Sequence, residues 1–155
     1  MVVDVRPRQA DFEIVSEDWG KAILTDGSEV FTRVILADLT ILSEDLLGKQ
    51  FATSNVVALR VRSPQSLKDK IVGAPIRTPI EPLPLTEEAG FERVNIDRVE
   101  KPTISRYRFN GNIITIELTI KIVIRNMNYR IPNGSPVYHV RWNVESNIEE
   151  EHESS

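Results

Sequence analysis

The fold is read from residues 110–125, Asn110-Gly111-Asn112-Ile113-Ile114-Thr115-Ile116-Glu117-Leu118-Thr119-Ile120-Lys121-Ile122-Val123-Ile124-Arg125. After the Asn-Gly pair, Ile114, Ile116, Leu118, Ile120, Ile122 and Ile124 recur at every second position. Thr115, Glu117, Thr119, Lys121 and Arg125 fall between them, with Ile113 and Val123 out of phase. Period-two alternation over a dozen residues predicts a long antiparallel strand with one buried and one wet face. Asn-Gly is the strongest short hairpin signal, because a type I′ turn needs positive φ at both central residues. Such a turn places Tyr107 opposite Ile114, Arg106 opposite Thr115 and Arg108 opposite Ile113. Downstream, Pro132-Asn-Gly-Ser-Pro136 reads as a loop leading to a strand over 137–144, where Tyr138, Val140, Trp142 and Val144 alternate with His139, Arg141 and Asn143. A three-stranded meander results, with 91–100 as a candidate fourth strand.

Working outward, strands are expected over 11–16, 19–24, 29–36 (running on towards Leu42) and 55–62, with a type I′ turn at Asp26-Gly27. Ser43-Glu44-Asp45-Leu46-Leu47-Gly48 carries a helix signal, Ser as cap, acids in the first turn and Gly as the stop. Ser63-Pro64 gives an N-cap and first-turn pair for a short helix over 65–70. Pro75, Pro79, Pro82 and Pro84 exclude helix and central strand, so 73–85 is expected to cross the surface in extended form. Thr86–Gly90 reads as one capped turn. No repeat of fixed period is evident. Ile and Val together number 33, and these β-branched side chains favour the pleated sheet. The expectation is a mainly β chain, an antiparallel sandwich or small barrel with one or two short helical turns. Its domain is expected over 1–144, with a possible two-part division at 73–85.

The chain has 155 residues with 19 Lys+Arg, 23 Asp+Glu, 2 His and no Cys. Absent cysteine excludes disulfides, thiolate nucleophiles and Cys-bound metal, and two histidines exclude a multi-histidine centre, so no metal or cofactor is expected. The formal charge of −4 is unevenly spread. Residues 1–91 carry 10 basic and 14 acidic side chains, and 92–141 carry 9 and 4. Residues 142–155 carry 5 glutamates and no base, which predicts an acidic disordered tail over 145–155. No run approaches the roughly 18 apolar residues of a membrane helix, and the first eight residues lack a secretory apolar stretch. A cytoplasmic location without membrane contact is the expectation. Thirteen Arg, three Gln and no Cys lean towards a heat-adapted source.

Candidate chemistry centres on the polar face of the meander. Pleat geometry groups Arg106, Arg108, Lys121, Arg125, His139 and Arg141 on one surface with a single acid, Glu117, which suits an anionic ligand because guanidinium forks match phosphate and carboxylate oxygens. The competing reading is a solvated face whose Arg stems cover aliphatic surface. Nucleic acid is poorly matched, since Tyr107 and Phe109 point to the isoleucine side rather than to bases. Asp38, alone in an apolar run, suggests a raised pKa or a strand bulge. His139 lacks an evident nucleophile or orienting partner, and no catalytic residue is assigned. Trp19 is a candidate interface residue. Three functions are expected in order: a non-catalytic, self-associating interaction module (a homo-oligomer), an anion-binding or nucleic-acid-binding sheet, and a small carboxylate/arginine enzyme. Self-association is suggested by the long Ile-rich strand, whose end, 121–125, outruns residues 104–109 and needs another partner strand, either from this chain or from a second subunit.

Overall fold

The computed structural model describes residues 8–77 and 83–151. The described residues form ten strands and one short helix: β1 (Arg8–Gln9), β2 (Glu13–Glu17), β3 (Gly20–Leu24), β4 (Glu29–Asp45), β5 (Gly48–Arg62), α1 (Gln65–Asp69), β6 (Phe91–Val94), β7 (Ile96–Lys101), β8 (Thr103–Phe109), β9 (Asn112–Arg130) and β10 (Pro136–Glu150). They make two separate antiparallel sheets. Sheet A runs β7-β3-β4-β5, with β1 beside the far end of β4, and sheet B runs β2-β8-β9-β10, with β6 beside the far end of β9. The mainly β, antiparallel sandwich read from the sequence is observed, and neither sheet closes into a barrel.

The two halves of the chain share one topology, which the absence of a sequence repeat does not foretell. β1 to β4 start at residues 8, 13, 20 and 29, and β6 to β9 start at 91, 96, 103 and 112, each 83 residues later. Each half makes the same meander, β3-β4-β5 or β8-β9-β10, and each lends its second strand to the other half's sheet: β2 pairs with β8, and β7 pairs with β3. Only turn positions and in/out alternation need repeat for this, so residue identity is free to diverge. Both sheets therefore take strands from either side of segment 73–85, of which residues 78–82, with Pro79 and Pro82, lie outside the described residues.

The exchanged strands cross where β3 and β8 begin. Gly20 is buried there, and a Cβ on it would lie 1.9 Å from Thr103 Oγ1 and 2.7 Å from Thr103 N. Thr103 Oγ1 in turn shares a 2.5 Å hydrogen bond with Thr32. Between the sheets, Val34, Leu36, Leu39, Ile41, Tyr107, Ile114 and Ile116 form the larger core. Leu24, Val30, Val61, Val94 and Val123 form a second. Tyr107 links the sheets, accepting from Leu36 N at 2.9 Å and donating to Glu17 at 2.5 Å.

Several local expectations are met and several are corrected. The Asn110-Gly111 turn has positive φ at both residues (43° and 72°), as type I′ demands, and the Tyr107–Ile114, Arg106–Thr115 and Arg108–Ile113 pairs are observed. At Asp26-Gly27 only Gly27 has positive φ, so this turn is not type I′; the Asp26 carboxylate caps Ser28 N at 2.8 Å instead. Ser43–Gly48 is not a helical turn. β4 and β5 pair in register as far as Asp45 and Gly48, and this ladder outweighs the local capping signal. Residues 91–100 split at Asn95, with β6 in sheet B and β7 in sheet A. Residues 145–150, expected in a disordered tail, are the end of β10 and pair with β9 down to Glu150–Asn112. Ladder hydrogen bonds to β9 and the contact of Ile148 with the core offset the glutamate repulsion. Residues 152–155 of the expected tail lie outside the described residues. Pro64, not Ser63, occupies the cap position of α1.

Candidate functional site

One irregularity decides the polar surface of sheet B. Trp142 pairs with Ile120 and Arg141 with Ile122, so Lys121 is an extra residue in β9, a bulge that reverses the in/out phase of everything beyond it. Before the bulge Ile114, Ile116, Leu118 and Ile120 face the core. After it Val123 faces the core, and Ile122 and Ile124 turn outward beside Arg141 and His139. The out-of-phase Val123 was the sequence signal of this bulge.

Consequently the six residues expected on one face do not share a site. Arg125 is turned to the inner side, where it binds Asp26 at 2.9 Å and Glu92 at 2.8 Å. Arg108 is engaged at the opposite end of the sheet, its Nε and Nη2 each 2.9 Å from the Glu151 carboxylate. That contact holds the Glu151 carboxyl below its ordinary range. Arg106 is exposed, opposite Thr115, about 20 Å along the strands from Arg141 at roughly 3.3 Å per residue. Because β10 continues to Glu150, Glu145 and Glu149 join Glu117 on this face, and its single-acid character is lost. Lys121 stands exposed at the bulge.

His139 and Arg141 remain, and Arg93 of β6, which the sequence reading missed, joins them. Arg93, Ile124 and His139 occupy one row across β6, β9 and β10. Leu85, Arg93, Ile122, Ile124, His139 and Arg141 line a hollow of about 520 Å³, adjoined by one of about 570 Å³ under the Thr86–Gly90 turn. That turn is built as expected, with Ala89 N donating to Thr86 Oγ1 at 3.3 Å. The floor is aliphatic. The rim carries two exposed guanidinium groups, neither ion-paired among the described residues, and the exposed His139 ring, which meets Phe91 edge-on with centroids 5.5 Å apart. Volume and lining fall in the usual range of ligand grooves, apolar with a few convergent polar groups.

The residues weighed for acid–base chemistry are scattered. Asp38 stands beside the Ala37 bulge in β4, accepting from Leu39 N at 2.9 Å and Gln9 at 3.0 Å. Asp97 binds its neighbour Arg98, Glu92 binds Arg125, and Glu117 lies on the sheet B face away from His139. No group of three or more metal-ligating side chains occurs among the described residues. Behind the groove lies a polar network: Tyr138 donates to Asp26 at 2.5 Å and contacts Ser28 at 2.8 Å, and Ser28 contacts Ser63 at 2.9 Å. Burial, then the Asp26 carboxylate, pushes the Tyr138 phenol up to about 12. Trp19 is half-buried, with the Arg60 guanidinium 5.5 Å from its ring. The end of β9, expected to need another partner strand from this chain or from a second subunit, is met by β6 of the same chain. No helix among the described residues is long and apolar enough to cross a membrane.

No family model matches this chain, and no curated protein or solved structure matches it either.

Proposed function

We propose that this protein is a non-catalytic interaction module, and that the groove between β6, β9 and β10 is its binding surface for an anionic group carried beside aliphatic side chains. One observation carries the reading: Arg93 and Arg141 stand over Ile122, Ile124 and Leu85 with no carboxylate partner among the described residues. Guanidinium groups left unpaired beside apolar surface favour a ligand that supplies both the charge and the apolar contact. The Trp142 ring packs against the core rather than into the hollow, so calorimetry measures occupancy. The test titrates inorganic phosphate, nucleotides, short RNA and acidic leucine-containing peptides. The acidic peptides should bind in a salt-dependent manner, at least tenfold more weakly to Arg93→Ala/Arg141→Ala and unchanged in Arg106→Ala. Binding of none of these probes, or binding indifferent to the double substitution, refutes the reading.

Sheet extension is a rival route to self-association and rests on a separate observation. Among the described residues β5 pairs only with β4, and its residues 50–59 (QFATSNVVAL) contain no charge, Pro or Gly to guard the other edge. Val56→Lys should then lower the mass seen by light scattering. A strict monomer for the parent chain removes this reading.

A further inference from the structure

The tip of the β4–β5 hairpin is built like a ligand. Asp45 and Gly48 close the ladder, leaving Leu46 and Leu47 as the two loop residues, 106% and 93% exposed. Scattered exposed apolar residues are ordinary, but two adjacent leucines left wholly in water are not. The tip is also held in shape. Asp45 accepts from Leu47 N at 2.8 Å, and Gly48 takes φ 111°, so the turn backbone has less freedom to lose on docking than an open loop. The leucines are preceded by Glu44 and Asp45, with Lys49 at 3.8 Å from Glu44 as the only nearby cation partner among the described residues.

This tip and the groove are complementary. One offers two carboxylates and two aliphatic side chains, and the other offers two guanidinium groups, without an ion-pair partner among the described residues, above an aliphatic floor. They lie at opposite ends of the sandwich. The tip residues line a hollow with Asn112 and Glu150, whereas the groove lies beside Ile122 and Ile124. About 40 Å of β9 separates them at roughly 3.3 Å per residue, so a chain's own tip does not reach its own groove. We infer that the Glu44–Leu47 tip of one copy docks in the Arg93/His139/Arg141 groove of a second copy, giving head-to-tail assembly. Leu46 and Leu47 cover Ile122, Ile124 and Leu85, while Glu44 and Asp45 face Arg141 and Arg93. Glu87 on the groove wall sets the orientation by repelling the acidic side of the tip. The contact uses different surfaces on the two copies, so it propagates into a ring or filament unless capped.

The inference rests on the groove being a binding surface, and the experiment separates the two. Sedimentation velocity compares the parent chain, Leu46→Ser/Leu47→Ser (tip-dead) and Arg93→Glu/Arg141→Glu (groove-dead), with circular dichroism confirming that each variant folds. The parent should gain mass with concentration and lose it in high salt. Each variant should stay monomeric, and their equimolar mixture should form a 1:1 dimer, because one supplies the tip and the other the groove. A monomeric parent, or a mixture that stays monomeric, overturns the inference. Assembly that survives both pairs of substitutions and disappears in Val56→Lys assigns association to the β5 edge and also overturns it. A tip that instead sediments the parent with anionic or neutral vesicles, without assembly, overturns it in favour of a lipid surface. The tip-dead variant, titrated with an acidic dileucine peptide, tests the groove alone: binding there with a monomeric parent sinks the head-to-tail contact only, and no binding sinks both.

Discussion

Gly20→Ala tests the strand exchange on which the fold turns. The added methyl carbon would sit 1.9 Å from Thr103 Oγ1, 2.7 Å from its N and 2.8 Å from its Cα. The hydroxyl is able to rotate away, at the cost of its hydrogen bond to Thr32. The backbone atoms have no such freedom. Thr103 starts β8 directly after the chain leaves β7 in the other sheet, so moving it strains both sheets at once. Ordinary overpacking costs about 1–3 kcal/mol. Here two backbone contacts fall below 3 Å, so at least about 3 kcal/mol is expected, a large share of a typical stability of about 5–15 kcal/mol. For a chain of this length that corresponds to a fall of roughly 6–12 °C in Tm. Urea unfolding followed by circular dichroism, with thermal melts alongside, measures it. Thr103→Ala should rescue Gly20→Ala only in part, since it removes the hydroxyl clash and leaves the backbone ones. A loss below about 1 kcal/mol, or full rescue by Thr103→Ala, would refute the crossing geometry.

Other outcomes follow from the same contacts. Burial first, and then hydrogen bonding to Glu17 and Asp26 respectively, raises both Tyr107 and Tyr138 from 10.0 to about 12. A phenol whose pKa rises on folding stabilises fully below its unfolded value, so stability should hold to about pH 10 and fall as pH approaches about 12. Tyr138→Phe should flatten that alkaline limb in pH-dependent urea titrations, and an unchanged slope would count against the network. Asp26→Ala leaves Arg125 and the Tyr138 hydroxyl without their shared partner and should cost about 2–4 kcal/mol, read from the urea midpoint. Gly111→Ala forces a Cβ into φ 72° and should cost about 1–2 kcal/mol with no change in binding. Arg93→Ala and Arg141→Ala should stay within about 0.5 kcal/mol of the parent, because their guanidinium groups make no ion pair among the described residues.

Most of the strand content was legible because alternation is local. The Asn110-Gly111 hairpin, its register, and the inward direction of Tyr107 and Ile114 all follow from residues within about ten positions of one another. The site was only half legible for the same reason. Pleat counting carried Ile114 through Ile124 on one face, and a one-residue bulge at Lys121 breaks that count. His139 and Arg141 kept their outward direction because β10 alternates without interruption. Arg125 lost its place because it lies past the bulge, and Arg93 was not found because nothing near it in sequence indicates that β6 pairs with β9.

By itself the sequence determined the chemistry each strand can present: alternating apolar and polar side chains, a type I′ turn at Asn110-Gly111, and no thiol or histidine cluster. Only the tertiary structure decided which strands share a sheet. The exchange of β2 and β7 and the survival of β10 into the glutamates depend on hydrogen-bond partners distant in the chain, and local propensity carries no record of them. So does the meeting of Arg93 with Arg141, because long-range strand pairing is chosen by the packing of both faces together rather than by the residues of either strand alone.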